Sequence, residues 1–145
     1  MKEKNLFNLI LLTSIIVIST SLFGSDIESS VNKHKNKFEN IALSIWDYAE
    51  LGYQEIKSST ALAESLKEEG FKITYKVANI PTAFIAEYGN NGPVIGILGE
   101  FDALPGLAQT NAPFKEVISN ETGGGHACGH HLFGAASAWA AVVIK

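Results

Sequence analysis

The chain has 145 residues, a formal net charge of −4 and 46% hydrophobic residues. The acidic balance argues against nucleic acid or an anionic membrane surface as a partner. Its single cysteine excludes a fold held together by disulfides within the chain, because each such bond needs two cysteines.

The N-terminus has the layout of a secretory signal peptide. Lys2 and Lys4 precede an apolar stretch over residues 6–18, and the small residues 19–21 and then Gly24 follow it. A membrane anchor is the alternative, but the stretch is shorter than the roughly 20 apolar residues that a transmembrane helix needs. We therefore expect residues 1–24 to be a cleaved signal. The mature protein would be exported to a periplasm or to the extracellular space, without membrane attachment.

Apolar residues at helical spacing predict a first helix after this signal. Ser25 or Asp26 would cap it, and Gly52 would end it. His34 is expected on the exposed face of this helix. Three serine and threonine residues then precede a second predicted helix over residues 61–70.

Three strands are predicted next in the chain. Alternating apolar and polar residues over 71–77 favour a half-buried strand, and residues 83–88 favour another. The wholly apolar run 94–98 predicts a strand that is buried on both faces. Helices before and after these strands indicate an α/β fold.

Two carboxylates, Glu100 and Asp102, directly follow the apolar run. Carboxylates at the end of a buried strand are costly unless they are paired, hydrogen-bonded or near a metal. Ligands in α/β folds gather just beyond the carboxyl ends of the strands. We therefore predict a functional role for Asp102, with a solvated acidic turn as the alternative.

Three of the four histidines and the only cysteine fall within residues 126–131, directly after three consecutive glycines. Thiolate and imidazole are preferred ligands of Zn²⁺ and similar ions, so Cys128 and His130 are candidate ligands, and His126 and His131 are either ligands or supports. The chain has no second Cys/His pair, which favours an open catalytic site over a closed structural one. A cysteine nucleophile with a histidine base is the competing interpretation. The small, apolar residues 132–140 predict a buried helix after the cluster.

The C-terminal residues 140–145 lie in an apolar run without a helix stop signal. We therefore expect residues 25–145 to be the N-terminal, incomplete portion of a larger catalytic domain.

The segment Gly99–Gly106 (GEFDALPG) and the segment Gly125–Gly134 (GHACGHHLFG) resemble motifs of the amidohydrolase branch of the aminoacylase/carboxypeptidase metallopeptidases. The segment Trp46–Glu55 is similar to the opening of the mature fold in this branch. The resemblance covers nearly all of the chain after the predicted signal.

This resemblance implies the N-terminal part of a two-metal exopeptidase-like catalytic domain, with helices packed on a mixed sheet. The family pattern places metal ligands at Cys128 and His130 and a catalytic aspartate at Asp102. It implies a site for two divalent ions such as zinc, manganese or cobalt, with no organic cofactor.

The expected reaction is hydrolysis of the amide bond of N-acyl or N-aroyl amino acids, and the expected full-length protein is a homodimer. The general base and the remaining ligands of the family lie downstream of this chain, so this portion alone is expected to be inactive. A non-catalytic remnant of a broken gene is the alternative.

Overall fold

The structure, a computed structural model, describes residues 2–145, with side chains for residue 24 and residues 26–145. The chain divides into two compact units, Met1–His34 and Lys35–Lys145. The predicted signal, residues 1–24, lies almost entirely outside the residues with described side chains, so it stays a prediction. No helix among the residues described in this way is long and apolar enough to cross a membrane.

The fold combines three helices with two small antiparallel sheets, which confirms the α/β class. Strand β1 pairs with β2 and strand β3 pairs with β4, while residues 51 and 103 form an isolated parallel bridge. A short 3-10 turn lies between β1 and β2. In chain order the elements are α1 (Lys2–Tyr48), α2 (Ile56–Glu68), β1 (Lys72–Tyr75), β2 (Phe84–Glu87), β3 (Leu104–Pro105), β4 (Gly124–Gly125) and α3 (His130–Ile144).

The core of the second unit lies where α1, α2 and α3 meet. Phe38 and Ile45 are seven residues apart on α1, so they share one face of the helix, and both are fully buried. The ring of Phe38 stacks on Trp139 of α3 with a centroid distance of 6.1 Å. Leu62 and Leu66 from α2 and Val142 from α3 belong to the same apolar cluster. Helix α3 buries only one face, whereas the sequence predicted burial nearly all round.

The first helix differs from its prediction in three respects. It ends at Tyr48, four residues before Gly52. Ser25 and Asp26 lie inside α1 and do not cap its start. His34 is only 7% exposed, so its predicted place on the exposed face is wrong. It lies four residues before the buried Phe38 and therefore falls on the apolar stripe of the helix.

Helix α2 begins at Ile56, five residues earlier than the sequence predicted. Its first turn is capped from outside by the carboxylate of Glu50, which accepts hydrogen bonds from the backbone N–H of Lys57 at 2.9 Å and of Ser58 at 2.8 Å. The hydroxyl of Ser58 donates a third bond at 2.8 Å. These bonds satisfy donors that a helix start leaves without partners, and the negative charge is favourable there.

The apolar run 94–98 is not a buried strand in this structure. Val94 is 97% exposed and Leu98 is 72% exposed. The carbonyl of Leu98 accepts a hydrogen bond from the hydroxyl of Ser137 on α3 at 2.7 Å. Among the described residues, no strand pairs with this run, and burial on both faces needs neighbouring strands.

The carboxylate of Glu69, just after α2, joins that helix end to the end of α3. The ammonium group of Lys145 lies 2.9 Å from it, and that of Lys37 lies 3.2 Å away. The hydrogen bond from Lys145, supported by the one from Lys37, lowers the pKa of Glu69 from 4.5 to about 2. The native state therefore holds the ionised carboxylate more strongly than the unfolded chain does.

We expect Glu69→Gln to destabilise the chain by roughly 1 kcal/mol at neutral pH, the size of a favourable partly exposed ion-pair network. Because the folded pKa is depressed, this difference is present above pH 4.5 and disappears as the pH falls from 4.5 towards 2. Urea unfolding of both proteins across this pH range measures it. Glu87→Gln, at an exposed strand position, is the matched control. A Glu69→Gln effect that is constant with pH would contradict the assignment.

Candidate metal centre

The C-terminal turn of α1 and the residues just after it position the segments that carry the candidate site. The carbonyl of Glu50 accepts a hydrogen bond from the backbone N–H of Ala103 at 2.7 Å, which places the Glu100–Asp102 segment beside the helix end. The carbonyl of Ala49 accepts a hydrogen bond from the hydroxyl of Thr122 at 2.7 Å. The acidic segment and the glycine-rich segment thus meet at one helix end.

Two glycines allow the close approach that this arrangement needs. A β-carbon on Gly124 would collide with the carbonyl oxygen of Ala49, and one on Gly125 would collide with the carbonyl of Leu107. Strand β4 consists of these two glycines and pairs with β3, which follows Asp102 and Ala103 directly. The absence of side chains here lets the ligand cluster begin next to the acidic segment.

His130 lies between the two carboxylates of the acidic segment. Its Nδ1 atom is 2.8 Å from Oδ1 of Asp102, and its Nε2 atom is 3.1 Å from Oε2 of Glu100. Carboxylate oxygens only accept hydrogen bonds, so Nδ1 donates to Asp102. The carboxylate of Glu100 beside Nε2 places negative charge where a cation could bind to that nitrogen.

Cys128 is exposed and lies in a tight turn. The backbone N–H of Gly129 donates a hydrogen bond to the carbonyl of His126 at 3.0 Å, which closes the turn around Cys128. Gly129 has a φ of 78°, in the left-handed region that glycine adopts without strain, and helix α3 begins at the next residue. The thiol is thereby presented to solvent two residues before His130.

His126 and His131, whose roles the sequence left open, pack against each other and against Trp46. Their rings are 5.1 Å apart, and the His131 ring packs edge-on to Trp46 at 5.0 Å. Burial lowers the pKa of both imidazoles, and for His131 the neighbouring His126 lowers it further. Nε2 of His126 donates a hydrogen bond to the carbonyl of Ile45 at 2.9 Å. Both rings are therefore neutral packing groups in this arrangement.

The donor types present fit a divalent transition metal, although the set is partial. Cys128 offers a thiolate and His130 offers Nε2, while Asp102 occupies the other ring nitrogen, as a carboxylate does for many metal-bound imidazoles. In the part of the chain with described side chains, no three His, Cys, Asp or Glu residues converge as a complete site. The structure thus brings Asp102 and His130 together, while the assignment of Cys128 and His130 as ligands stays a prediction.

Sequence reasoning missed Glu50 as a supporting residue of the site. Its carboxylate is 8% exposed and caps α2, while its backbone carbonyl holds Ala103. The signal was the position of a carboxylate two residues after the end of α1 and six residues before the start of α2, where it can reach the free N–H groups of α2.

No family model matches the chain, but curated proteins do. It is 40% identical over 119 residues to one of the subunits of p-aminobenzoyl-glutamate hydrolase from Escherichia coli, a match that covers 82% of this chain and 25% of the relative. It is 32% identical to hippurate hydrolase of Campylobacter jejuni, over 66% of this chain and 24% of the relative. It is 34% identical to N-acetylcysteine deacetylase of Bacillus subtilis, over 73% of this chain and 27% of the relative.

The chain spans about a quarter of the length of these curated relatives. Two of these names describe hydrolysis of an N-aroyl amino acid, and the third describes deacetylation of an N-acyl amino acid. Each match extends over about two thirds of this chain or more. The chain belongs to the amidohydrolase branch of the aminoacylase/carboxypeptidase family.

Proposed function

We propose that this chain forms the first part of a metal-dependent amidohydrolase that cleaves the amide bond of N-acyl or N-aroyl amino acids such as aminobenzoyl-glutamate. The observation that carries the proposal is the imidazole of His130, held at Nδ1 by Asp102 at 2.8 Å beside a turn that presents Cys128. The names of the relatives support the class of substrate.

In this proposal Cys128 and His130 hold a divalent ion, and Asp102 acts on His130. By accepting a hydrogen bond from Nδ1–H, Asp102 fixes the tautomer and the plane of the ring, which leaves Nε2 as the metal-facing atom. Glu100, 3.1 Å from Nε2, adds negative charge at the same place. A bound divalent ion supplies polarisation of the amide carbonyl and a water of lowered pKa.

The remaining features are proposed from the family resemblance and from the donor count. Cys128 and His130 are two ligands, and no general base is assigned among the described residues, so we propose that this portion alone is inactive. The complete enzyme would hold two ions, of zinc, manganese or cobalt, and would be an exported homodimer. A non-catalytic remnant and a cysteine-nucleophile hydrolase are the two alternatives that the following experiment distinguishes from this enzyme.

The test is hydrolysis of aminobenzoyl-glutamate and of N-acyl amino acids by the product of the complete gene, before and after treatment with a chelator. We expect the chelator to abolish activity and added Zn²⁺, Mn²⁺ or Co²⁺ to restore it. Activity that survives chelation but is lost on alkylation of the thiol would instead identify a cysteine hydrolase. A stop codon directly after Lys145, with no hydrolysis by the product, would favour the remnant.

A further inference from the structure

The most deeply buried side chain of the 126–131 cluster is not one of the two candidate ligands. His126 is 4% exposed, whereas Cys128 is exposed and His130 is partly exposed. A buried imidazole beside a solvent-facing thiol is poorly placed to share an ion with that thiol. The role of His126 therefore has to follow from its contacts within the fold.

The imidazole of His126 links the cluster to helix α1 across 81 residues of sequence. Its Nε2 atom lies 2.9 Å from the carbonyl oxygen of Ile45, a residue that is fully buried in the core. A carbonyl oxygen only accepts hydrogen bonds, so Nε2 carries a hydrogen atom and donates the hydrogen bond. The same carbonyl accepts the backbone N–H of Ala49 at 3.1 Å, so the contact is with a fixed part of the helix end.

The backbone of His126 also closes the turn that contains Cys128. Its carbonyl accepts the N–H of Gly129 at 3.0 Å, and the carbonyl of Gly129 in turn accepts the N–H groups of Leu132 and Phe133 in the first turn of α3. Consecutive backbone hydrogen bonds through Gly129 thus connect the His126 backbone to the start of the helix that carries His130. The rings of Trp46 and His131 pack against the His126 ring, with centroid distances of 6.3 Å and 5.1 Å respectively.

We propose that His126 is a positioning residue, whose hydrogen bond to the Ile45 carbonyl fixes the turn that carries Cys128 and the start of the helix that carries His130. Without this bond, only the residues next to the turn hold it against α1. The distance between the Cys128 thiol and the His130 imidazole is then no longer fixed. The effect on metal binding rests on the proposed function, while the effect on the turn itself does not.

The test compares His126→Gln with His126→Asn in the whole chain. The side-chain amide nitrogen of glutamine reaches close to the place of Nε2, whereas that of asparagine reaches only as far as Nδ1. Both replacements are polar and uncharged, so they differ chiefly in their reach to the Ile45 carbonyl. Ala127→Ser, at an exposed position of the same turn, is the control for general disturbance of the loop.

The first measurement is amide hydrogen exchange at Gly129 in the metal-free chain. We expect His126→Asn to raise this rate about tenfold or more and His126→Gln to stay near the wild-type rate. Equal Gly129 rates in the two variants would overturn the proposal. If His126→Asn unfolds, shown by lost protection at Leu66 in the core, the result for His126→Gln decides: wild-type exchange supports the proposal and raised exchange overturns it.

The second measurement, made on the product of the complete gene, is the affinity for Co²⁺ and the intensity of the thiolate-to-cobalt absorption band. We expect His126→Asn to bind about tenfold to a hundredfold more weakly than wild type, as when a group that orients a metal ligand is lost, with most of the affinity restored in His126→Gln. Equal affinities in both variants and wild type would overturn the positioning role in metal binding. A wild-type product of the complete gene that binds no Co²⁺ would count against the proposed function instead, and hydrogen exchange would still decide the role of His126.

Discussion

Replacing Cys128 with alanine in the complete enzyme should remove the proposed metal centre and the proposed amidohydrolase activity together. Cys128 is the only cysteine of the chain, so the substitution removes the only thiolate ligand that these residues offer. The side chain is exposed, so its loss creates no cavity and should leave stability nearly unchanged. We expect kcat/KM of the complete enzyme to fall by at least about a hundredfold, a loss of the order that changes around a metal site produce.

The measurements are metal content by elemental analysis, hydrolysis of aminobenzoyl-glutamate and the thermal unfolding midpoint. Ala127→Ser is the matched control, since it changes the neighbouring exposed side chain of the same turn and leaves the thiol in place. If Cys128→Ala kept wild-type metal content and activity, both the ligand role of Cys128 and the cysteine-nucleophile alternative would be abandoned.

Replacing Gly125 with alanine should be the most destabilising single change in the glycine-rich segment. The new β-carbon would collide with the backbone carbonyl of Leu107, and backbone atoms cannot turn aside as a flexible side chain can. The pairing of β3 with β4 would have to open, since Leu104 is the partner of Gly125 in that sheet. We expect a loss of about 3 kcal/mol or more in the free energy of unfolding.

Urea unfolding measures this loss, and Gly96→Ala is the matched control. A β-carbon on Gly96 would have no other atom within 4 Å, so the same chemical change should alter stability there by well under about 1 kcal/mol. Equal and small effects at both positions would mean that the close approach at Gly125 does not exist in solution. Because β4 leads directly into His126, the Gly125 variant should also bind metal more weakly than the Gly96 variant.

The sequence predicted the elements whose signal is local. The strands β1 and β2 lie within their predicted ranges, and the predicted first helix corresponds to the C-terminal half of α1, because the periods of helices and strands are set by neighbouring residues. The bounds of α2 were wrong because its cap comes from Glu50, outside the helix itself. The prediction that residues 94–98 form a buried strand was wrong because burial depends on a partner strand, which apolar composition by itself does not provide.

The sequence by itself also determined which residues offer the chemistry of the site, since the types and spacing of Cys128, His130 and Asp102 are plain in the motifs. Only the tertiary structure decided how they are arranged: Asp102 meets His130 across 28 residues, and His126 turns inward to Ile45 across 81. The physical reason is that contacts between distant residues depend on how the later segments of the chain pack against the end of α1. Close packing at Gly124 and Gly125 and hydrogen bonds to helix carbonyls fix this arrangement, and local sequence patterns do not encode them.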